Sequence, residues 1–212
     1  MVPLQADGGG GGVAGAVDDL EQAAASGVAA RDALHGALRS SAAAFRSGHD
    51  REVLKTVATR DRVVAALIAL LPRALGTLVR RQLGECMCVL LAAEGRALVP
   101  LLDALIVVLT KASKDAKIPG GDNIKCNTLA CVGALLERFG VLMAVRLGEF
   151  YSLAKGCLKA PEDAAVRAAA VGVIVAIVRH GGQTAHAHHE DALKLCKGLL
   201  QVRRHTHPRT HT

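Results

Sequence analysis

The sequence predicts an all-α protein in which antiparallel helix pairs stack on one another. Two properties of its 212 residues indicate helix: 51% are hydrophobic, with Ala and Leu dominant, and only 2% are aromatic. Ala and Leu are the strongest helix formers, whereas strands favour aromatic and β-branched side chains. A third observation, a pattern that recurs along the second part of the chain, indicates how the helices are arranged.

The N-terminal part of the chain differs from the rest. Residues 1–15 are expected to form a flexible leader, because 8–12 is an unbroken run of glycine and glycine loses the most conformational freedom on ordering. The segment lacks the basic region and apolar stretch of a signal peptide. The longest apolar stretches, 63–71 and 168–178, fall short of the roughly 20 residues that a membrane span needs.

A helical domain is expected over residues 16–202. Its first part, 16–47, has the pattern of one or two Ala-rich helices, and 47–49 (Ser-Gly-His) is a break. The next helix begins after Asp50 and carries apolar residues up to Leu71. Pro72 marks its end, because proline cannot continue a helix.

A helix-pair pattern then recurs three times. Gly95, Gly140 and Gly182 lie 45 and 42 residues apart, and each is predicted to end the first helix of a pair in the left-handed conformation that glycine adopts without strain. Fifteen positions before these glycines stand three basic residues, namely Arg80, Lys125 and Arg167.

Repeats of about 40–47 residues are typical of HEAT and armadillo α-solenoids. One helix pair cannot bury both of its apolar faces, and stacking the next pair covers the exposed one. We therefore predict a HEAT/armadillo-type α-solenoid, with an ordinary compact helical bundle as the alternative. The clearest predicted units cover 73–112, 118–160 and 161–202.

Residues 203–212 are expected to form a disordered, basic His/Thr tail. They have no apolar periodicity and directly follow the apolar segment 199–202, where a solenoid normally adds another unit or a polar cap. We favour the interpretation that the chain is a fragment of a longer array and the tail an artefact of gene prediction. A genuine basic tail is the alternative.

The cysteines give no sign of a metal or redox site. None of the six forms a C-x-x-C pair, and all lie in apolar segments: Cys86, Cys88, Cys126, Cys131, Cys157 and Cys196. Free cysteine behaves as a small hydrophobic residue, so we expect buried thiols in a reducing compartment.

The late histidines are the best candidates for a metal site. His186 and His189 have the i, i+3 spacing that places two ligands on one helix face, but no carboxylate or cysteine completes the set, and solvated turn histidines are favoured. The sequence also lacks the phosphate-loop, dinucleotide, nucleophile-elbow and zinc-protease motifs. We therefore predict no catalytic, cofactor-binding or metal site and no enzyme.

The charge balance leaves binding to phosphates, including those of nucleic acids, open as a function. Lys and Arg number 26 against 19 Asp and Glu, a formal charge of +7, and a basic protein is attracted to phosphates. The densest basic positions are scattered at 80–81, 111–117 and 203–204, and few aromatic residues are present to stack on bases. The alternative function is therefore that of a nuclear-transport or nucleic-acid-associated protein. A continuous stripe of basic residues on the surface would support this alternative.

The segment 125–140 reads Lys-Cys-Asn-Thr-Leu-Ala-Cys-Val-Gly-Ala-Leu-Leu-Glu-Arg-Phe-Gly. It resembles the N-terminal HEAT region of the HEAT repeat-containing protein 5 (SWEETIE-like) family, in which a Lys leads into Ala-Cys-Val-Gly-Ala and then a charged pair, an aromatic or Met, and Gly. The flanking stretches 80–95 and 153–159, and Gly181-Gly182 with His189, resemble the same region. The resemblance covers about 63–202.

The resemblance implies a non-enzymatic scaffold that works with clathrin adaptors in protein sorting, endocytosis and endosome-to-Golgi transport. It implies protein partners, indirect membrane contact, no small-molecule substrate or cofactor, and a cytoplasmic location at Golgi and endosomal membranes. It transfers no binding residue. Arg80 and Lys125 are expected at helix starts or in contacts between repeats.

Overall fold

The computed structural model describes residues 12–25, 31–47, 51–115, 117–159 and 162–205, and all regular structure in these ranges is helical. The α-helices are α1 (Val13–Ala25), α2 (Arg31–Ser47), α3 (Arg51–Lys55), α4 (Val57–Ala69), α5 (Thr77–Ala93), α6 (Leu98–Lys114), α7 (Gly121–Phe139), α8 (Leu147–Gly156), α9 (Ala164–His180) and α10 (His186–His205). Short 3-10 segments precede α6, α8 and α10: Gly95–Ala97, Gly140–Arg146 and Gly182–Ala185. The all-α prediction is confirmed.

The helices are arranged in two rows of neighbours. In the first row α2, α5, α7 and α9 lie side by side, and in the second α4, α6 and α8 are neighbours. The rows meet where α6 packs against α7 and α8 packs against α9. Large apolar side chains such as Leu83, Leu101 and Phe150 are fully buried between them, which gives the chain one continuous core.

Helices α5, α7 and α9 run in the same direction. Arg80 near the start of α5 bonds Asn127 near the start of α7, and Cys88, one helix turn from the end of α5, contacts the carbonyl of Ala134. Gly140, at the end of α7, lies against His180 at the end of α9. Each 3-10 segment then turns the chain back into the second row, so this packing is compatible with stacked helix pairs.

The helical domain extends further than predicted at both ends. Helix α1 begins at Val13, so 13–15 of the predicted leader are helical, and α10 continues to His205, so 203–205 of the predicted tail are helical. Of the break predicted at 47–49, Ser47 is the last residue of α2. Positions 48–49 lie outside the described residues, as do 1–11 and 206–212.

The helix predicted between Asp50 and Leu71 is divided in two. A bend at Thr56 separates α3 from α4, and the Thr56 side chain accepts a hydrogen bond from the backbone nitrogen of Thr59. A threonine that caps a new helix in this way competes with continuation of the preceding one.

The prediction of three left-handed glycines is correct for Gly182 (φ 60°) and wrong for Gly95 and Gly140. Gly140 has φ −44° and is required for another reason. A Cβ at this position would lie 2.2 Å from the carbonyl oxygen of His180. Glycine therefore permits the ends of α7 and α9 to meet.

The helical stretch Gly121–Gly156, which comprises α7, α8 and the 3-10 segment between them, is apolar and long enough to qualify as a membrane span by length and composition. Its best window has a mean hydropathy of 1.7, and 44% of that window is buried. Core helices meet the same criterion, and α7 has α5 and α9 as neighbours on its two sides. Packing accounts for the buried apolar residues of α7, such as Leu129 and Val132, whereas Val141, Leu142 and Val145 of the 3-10 segment are exposed.

Candidate protein-binding groove

A groove of about 470 Å³ runs along α7, between α5 and α9. Successive turns of α7 form its floor, from Cys126 to Glu137, and the starts of α5 and α9 form its walls. Much of the lining consists of glycine and alanine, among them Gly84, Ala130, Gly133, Ala134, Ala169 and Gly172. We call this feature the α7 groove.

Small residues account for the depth of the α7 groove. A Cβ at Gly133 on the floor or at Gly172 on the wall would meet no atom within 4 Å, so both positions face open space. Gly84 differs, because a Cβ there would lie 3.1 Å from the Cβ of Ala134. Gly84 therefore lets α5 pack closely against α7, while Gly133 and Gly172 leave the groove unfilled.

The two ends of the α7 groove carry opposite charge. Arg80 and Arg81 line the end near the helix starts, and Glu137 lines the other end. The Arg80 guanidinium donates from Nε to Asn127 Oδ1 at 2.8 Å and from Nη2 to the carbonyl of Leu75 at 3.0 Å. Arg81 is exposed, and no partner for its guanidinium is found among the residues that the structure describes.

Asn127 holds Arg80 in place and connects two helix pairs. It is fully buried, and its Nδ2 donates to the carbonyls of Leu71 and Arg73 at 2.9 and 2.8 Å. One amide therefore connects α7 to α5 and to the turn before α5. Arg80 therefore lies near a helix start, one of the two positions expected for it, and its side chain contacts α7.

Lys125 makes the equivalent connection toward α9. It is only 7% exposed, and its Nζ donates to both carboxylate oxygens of Glu162 at 2.7 and 2.8 Å. This ion pair connects the start of α7 to the segment before α9. Arg167, the third basic residue of the pattern, is in the first turn of α9 and exposed, and no such contact is described for it.

Five of the six cysteines are buried, as predicted, and the prediction is wrong for Cys196, which is exposed. Burial raises the pKa of the Cys86 and Cys131 thiols to about 12 and that of Cys88 to about 11. Cys196 lies on α10, beside an apolar cleft between α9 and α10 that Leu193 also lines.

The histidines of α10 make ring contacts. His188 stacks on Tyr151 of α8, with ring centroids 4.3 Å apart, and Tyr151 donates a hydrogen bond to Asp191 at 3.0 Å. The rings of His186 and His189 lie 4.9 Å apart. Among the described residues no group of three or more His, Cys, Asp or Glu is placed to hold a metal ion.

The α7 groove and Asn127 were not identified from the sequence. The signal was present as small residues at helical spacing on one face of α7, Cys126, Ala130, Gly133 and Ala134. The resemblance of 125–140 transferred no binding residue to this face. Only the structure shows that Gly133 faces open space.

No protein-family model matches the chain, and neither a curated protein nor a solved structure gives a significant match. The family indicated by 125–140 stays a resemblance. The α7 groove and the packing of its helices are the observations on which a function can be proposed.

Proposed function

We propose that the chain is a HEAT/armadillo-type α-solenoid scaffold without catalytic activity, which binds protein partners. The α7 groove is the observation that carries this proposal, because a recessed apolar surface with charged ends suits a protein segment. The solenoid is supported by the side-by-side packing of the parallel helices α5, α7 and α9, and by α6 and α8, which pack against α7 and α9 from a second row.

The chemistry of the core supports binding rather than catalysis. A nucleophilic cysteine needs a thiolate at neutral pH, whereas burial raises the pKa of Cys86 and Cys131 to about 12. Arg80 and Lys125, at the starts of α5 and α7, are occupied in structural contacts with Asn127 and Glu162.

We place this scaffold in intracellular vesicle traffic, as the resemblance of 125–140 to the HEAT repeat-containing protein 5 family implies. The partners would be clathrin-adaptor machinery, in protein sorting, endocytosis and endosome-to-Golgi transport. The location would be the cytoplasmic side of Golgi and endosomal membranes, with membrane contact made through those partners.

We do not extend the proposal to nucleic-acid binding. Phosphate binding needs basic side chains that are free to replace counterions. Several basic residues instead form ion pairs: Arg46 with Glu85, Arg62 with Asp18 and Glu21, and Arg146 with Asp103 and Glu149. These pairs reduce the positive potential of the described surface.

Proximity biotinylation in cells tests the proposed function. The full chain is fused to a biotin ligase and compared with the ligase alone at matched expression. Enrichment of clathrin-adaptor subunits together with Golgi and endosomal proteins is the expected result. Enrichment of nuclear or nucleic-acid-binding proteins, with adaptors at the level of the control, would contradict the proposal.

A further inference from the structure

The geometry points to a helical segment with acidic side chains at its C-terminal end as the partner that binds the α7 groove, antiparallel to α7. This inference rests on the proposed protein-binding function and names the chemistry of the partner. Three features carry it: the size and floor of the groove, the secondary structure of its lining, and the charge at its two ends.

The floor of the α7 groove has the length of a short helix. It extends along α7 from Cys126 to Glu137, which at 1.5 Å per residue is about 17 Å, or three helix turns. Helices pack with their axes about 8–10 Å apart, and the separation depends on the side chains at the contact. The open glycine positions, Gly133 and Gly172, therefore allow a bound helix to approach α7 closely.

The lining favours a helix over an extended peptide. All of the lining residues lie within α5, α7 or α9, where most backbone N–H and C=O groups already bond within the helix. An extended peptide would place its own backbone groups against the apolar floor without partners, which is unfavourable. A helix satisfies those groups internally and presents only side chains.

The charges set the direction of the bound helix. Arg80 and Arg81 lie at the end where α5, α7 and α9 all begin, and helix N-termini add partial positive charge there. Asp163 is at the same end, but its carboxylate caps α9 by accepting from the backbone nitrogen of Ala165. An acidic segment is therefore stabilised at this end, beside the exposed Arg81.

The charge at the opposite end of the α7 groove determines the direction in which the bound helix runs. Glu137 lines that end, and a helix N-terminus is the helix end that favours a carboxylate. A bound helix with its N-terminus near Glu137 and its C-terminus near Arg81 runs antiparallel to α7. Acidic residues in its last turn then face Arg81.

The test is selection from a displayed library of random peptides, each about 16 residues long, against the full chain. The length exceeds the three turns of the floor by about one turn. Enriched sequences are expected to have an apolar or small-residue stripe at i, i+3, i+4 and i+7, and Asp or Glu in the last turn. Circular dichroism of the selected peptides is expected to show helix on binding.

Matched variants show whether the peptides occupy the α7 groove. Gly133→Leu combined with Gly172→Leu fills the groove and is expected to weaken binding at least about tenfold. Arg81→Glu is expected to weaken the binding only of those peptides that have acidic residues in their last turn. Gly36→Leu and Arg39→Glu on α2 are the controls, since a side chain at Gly36 also meets open space. Thermal unfolding verifies that each variant folds.

A photo-crosslinker at the C-terminus of a selected peptide is expected to label the start of α5, near Arg81. Crosslinks near Glu137, enrichment of extended or basic sequences, no enrichment, or binding unaffected by the Gly133 and Gly172 changes would each overturn the inference. Such an outcome leaves the proposed function standing if biotinylation still captures adaptor subunits. Groove binding without adaptor capture would instead reject the trafficking function.

Discussion

Arg80 of α5 donates a hydrogen bond from Nε to Oδ1 of Asn127, a fully buried residue of α7, at 2.8 Å. Nδ2 of the same amide donates to the carbonyls of Leu71 and Arg73. One side chain therefore determines where α5, its preceding turn and α7 meet, and it fixes the basic end of the α7 groove.

Asn127→Ala is expected to lower the free energy of unfolding by about 3 kcal/mol, because it removes the donor to the buried Leu71 carbonyl and the acceptor of Arg80 Nε. Chemical denaturation measures the change. Asn123→Ala is the control, because that amide contacts the Pro72 carbonyl only at 3.5 Å, and it should change stability by less than about 0.5 kcal/mol. Equal effects of the two substitutions would contradict the assigned role of Asn127.

The Lys125–Glu162 ion pair is expected to stabilise the contact between α7 and the start of α9. Glu162→Gln leaves the Lys125 ammonium, whose side chain is 9% exposed, with only the exposed Asp122 carboxylate at 3.9 Å as counter-charge, and should lower stability by about 2 kcal/mol. Lys125→Met combined with Glu162→Leu should recover part of this loss. The exposed pair Lys194–Glu190 is the control, and Lys194→Met should cost about 0.5 kcal/mol or less.

Gly140→Ala tests the meeting of the ends of α7 and α9. A Cβ would lie 2.2 Å from the carbonyl oxygen of His180, so the two helix ends must separate, at about 1–3 kcal/mol. Gly133→Ala on the same helix meets open space and should raise stability by up to about 1 kcal/mol, because alanine is the better helix former. Urea denaturation distinguishes the two, and a Gly140→Ala protein as stable as the parent would contradict this contact.

High pH is expected to destabilise the protein through its buried thiols. Burial raises the pKa of Cys86 and Cys131 from 9.0 to about 12, so the folded state keeps these protons while the unfolded state loses them. The stabilisation is complete below pH 9 and is lost between pH 9 and 12, by up to about 1.4 kcal/mol per pH unit for each thiol.

Denaturation between pH 8 and 11 measures this loss. Cys86→Ala combined with Cys131→Ala should reduce the slope of stability against pH, whatever its effect on stability at pH 8, and leave the part due to Cys88, whose pKa burial raises to about 11. An unchanged slope in the double variant would assign the pH dependence to other groups.

Local sequence signals indicated where helices lie. Helices α5, α7 and α9 start at Thr77, Gly121 and Ala164, inside the units expected at 73–112, 118–160 and 161–202. The basic residues Arg80, Lys125 and Arg167 all lie near the starts of α5, α7 and α9. Composition and apolar periodicity determine such features, since they depend on residues within one helix.

The features that the sequence did not reveal depend on distant contacts. Gly140 is needed because His180 lies against it, and Asn127 is buried because the carbonyls of Leu71 and Arg73 face it. From the local sequence, a glycine at a helix end predicts a left-handed turn. Only the position of α9 shows that Gly140 is needed because another helix end packs closely against it. The open space beside Gly133 likewise depends on how α5, α7 and α9 pack together.

Helix α7 lies between α5 and α9 and against α6, and most of its side chains are buried there. Amide hydrogen exchange of the full chain measures this burial. Amides at 129–136 are expected to exchange more slowly than those of α1 and α10 and to open only on global unfolding. Exchange at 129–136 that is as fast as in α10 would contradict the placement of α7 and, with it, the groove.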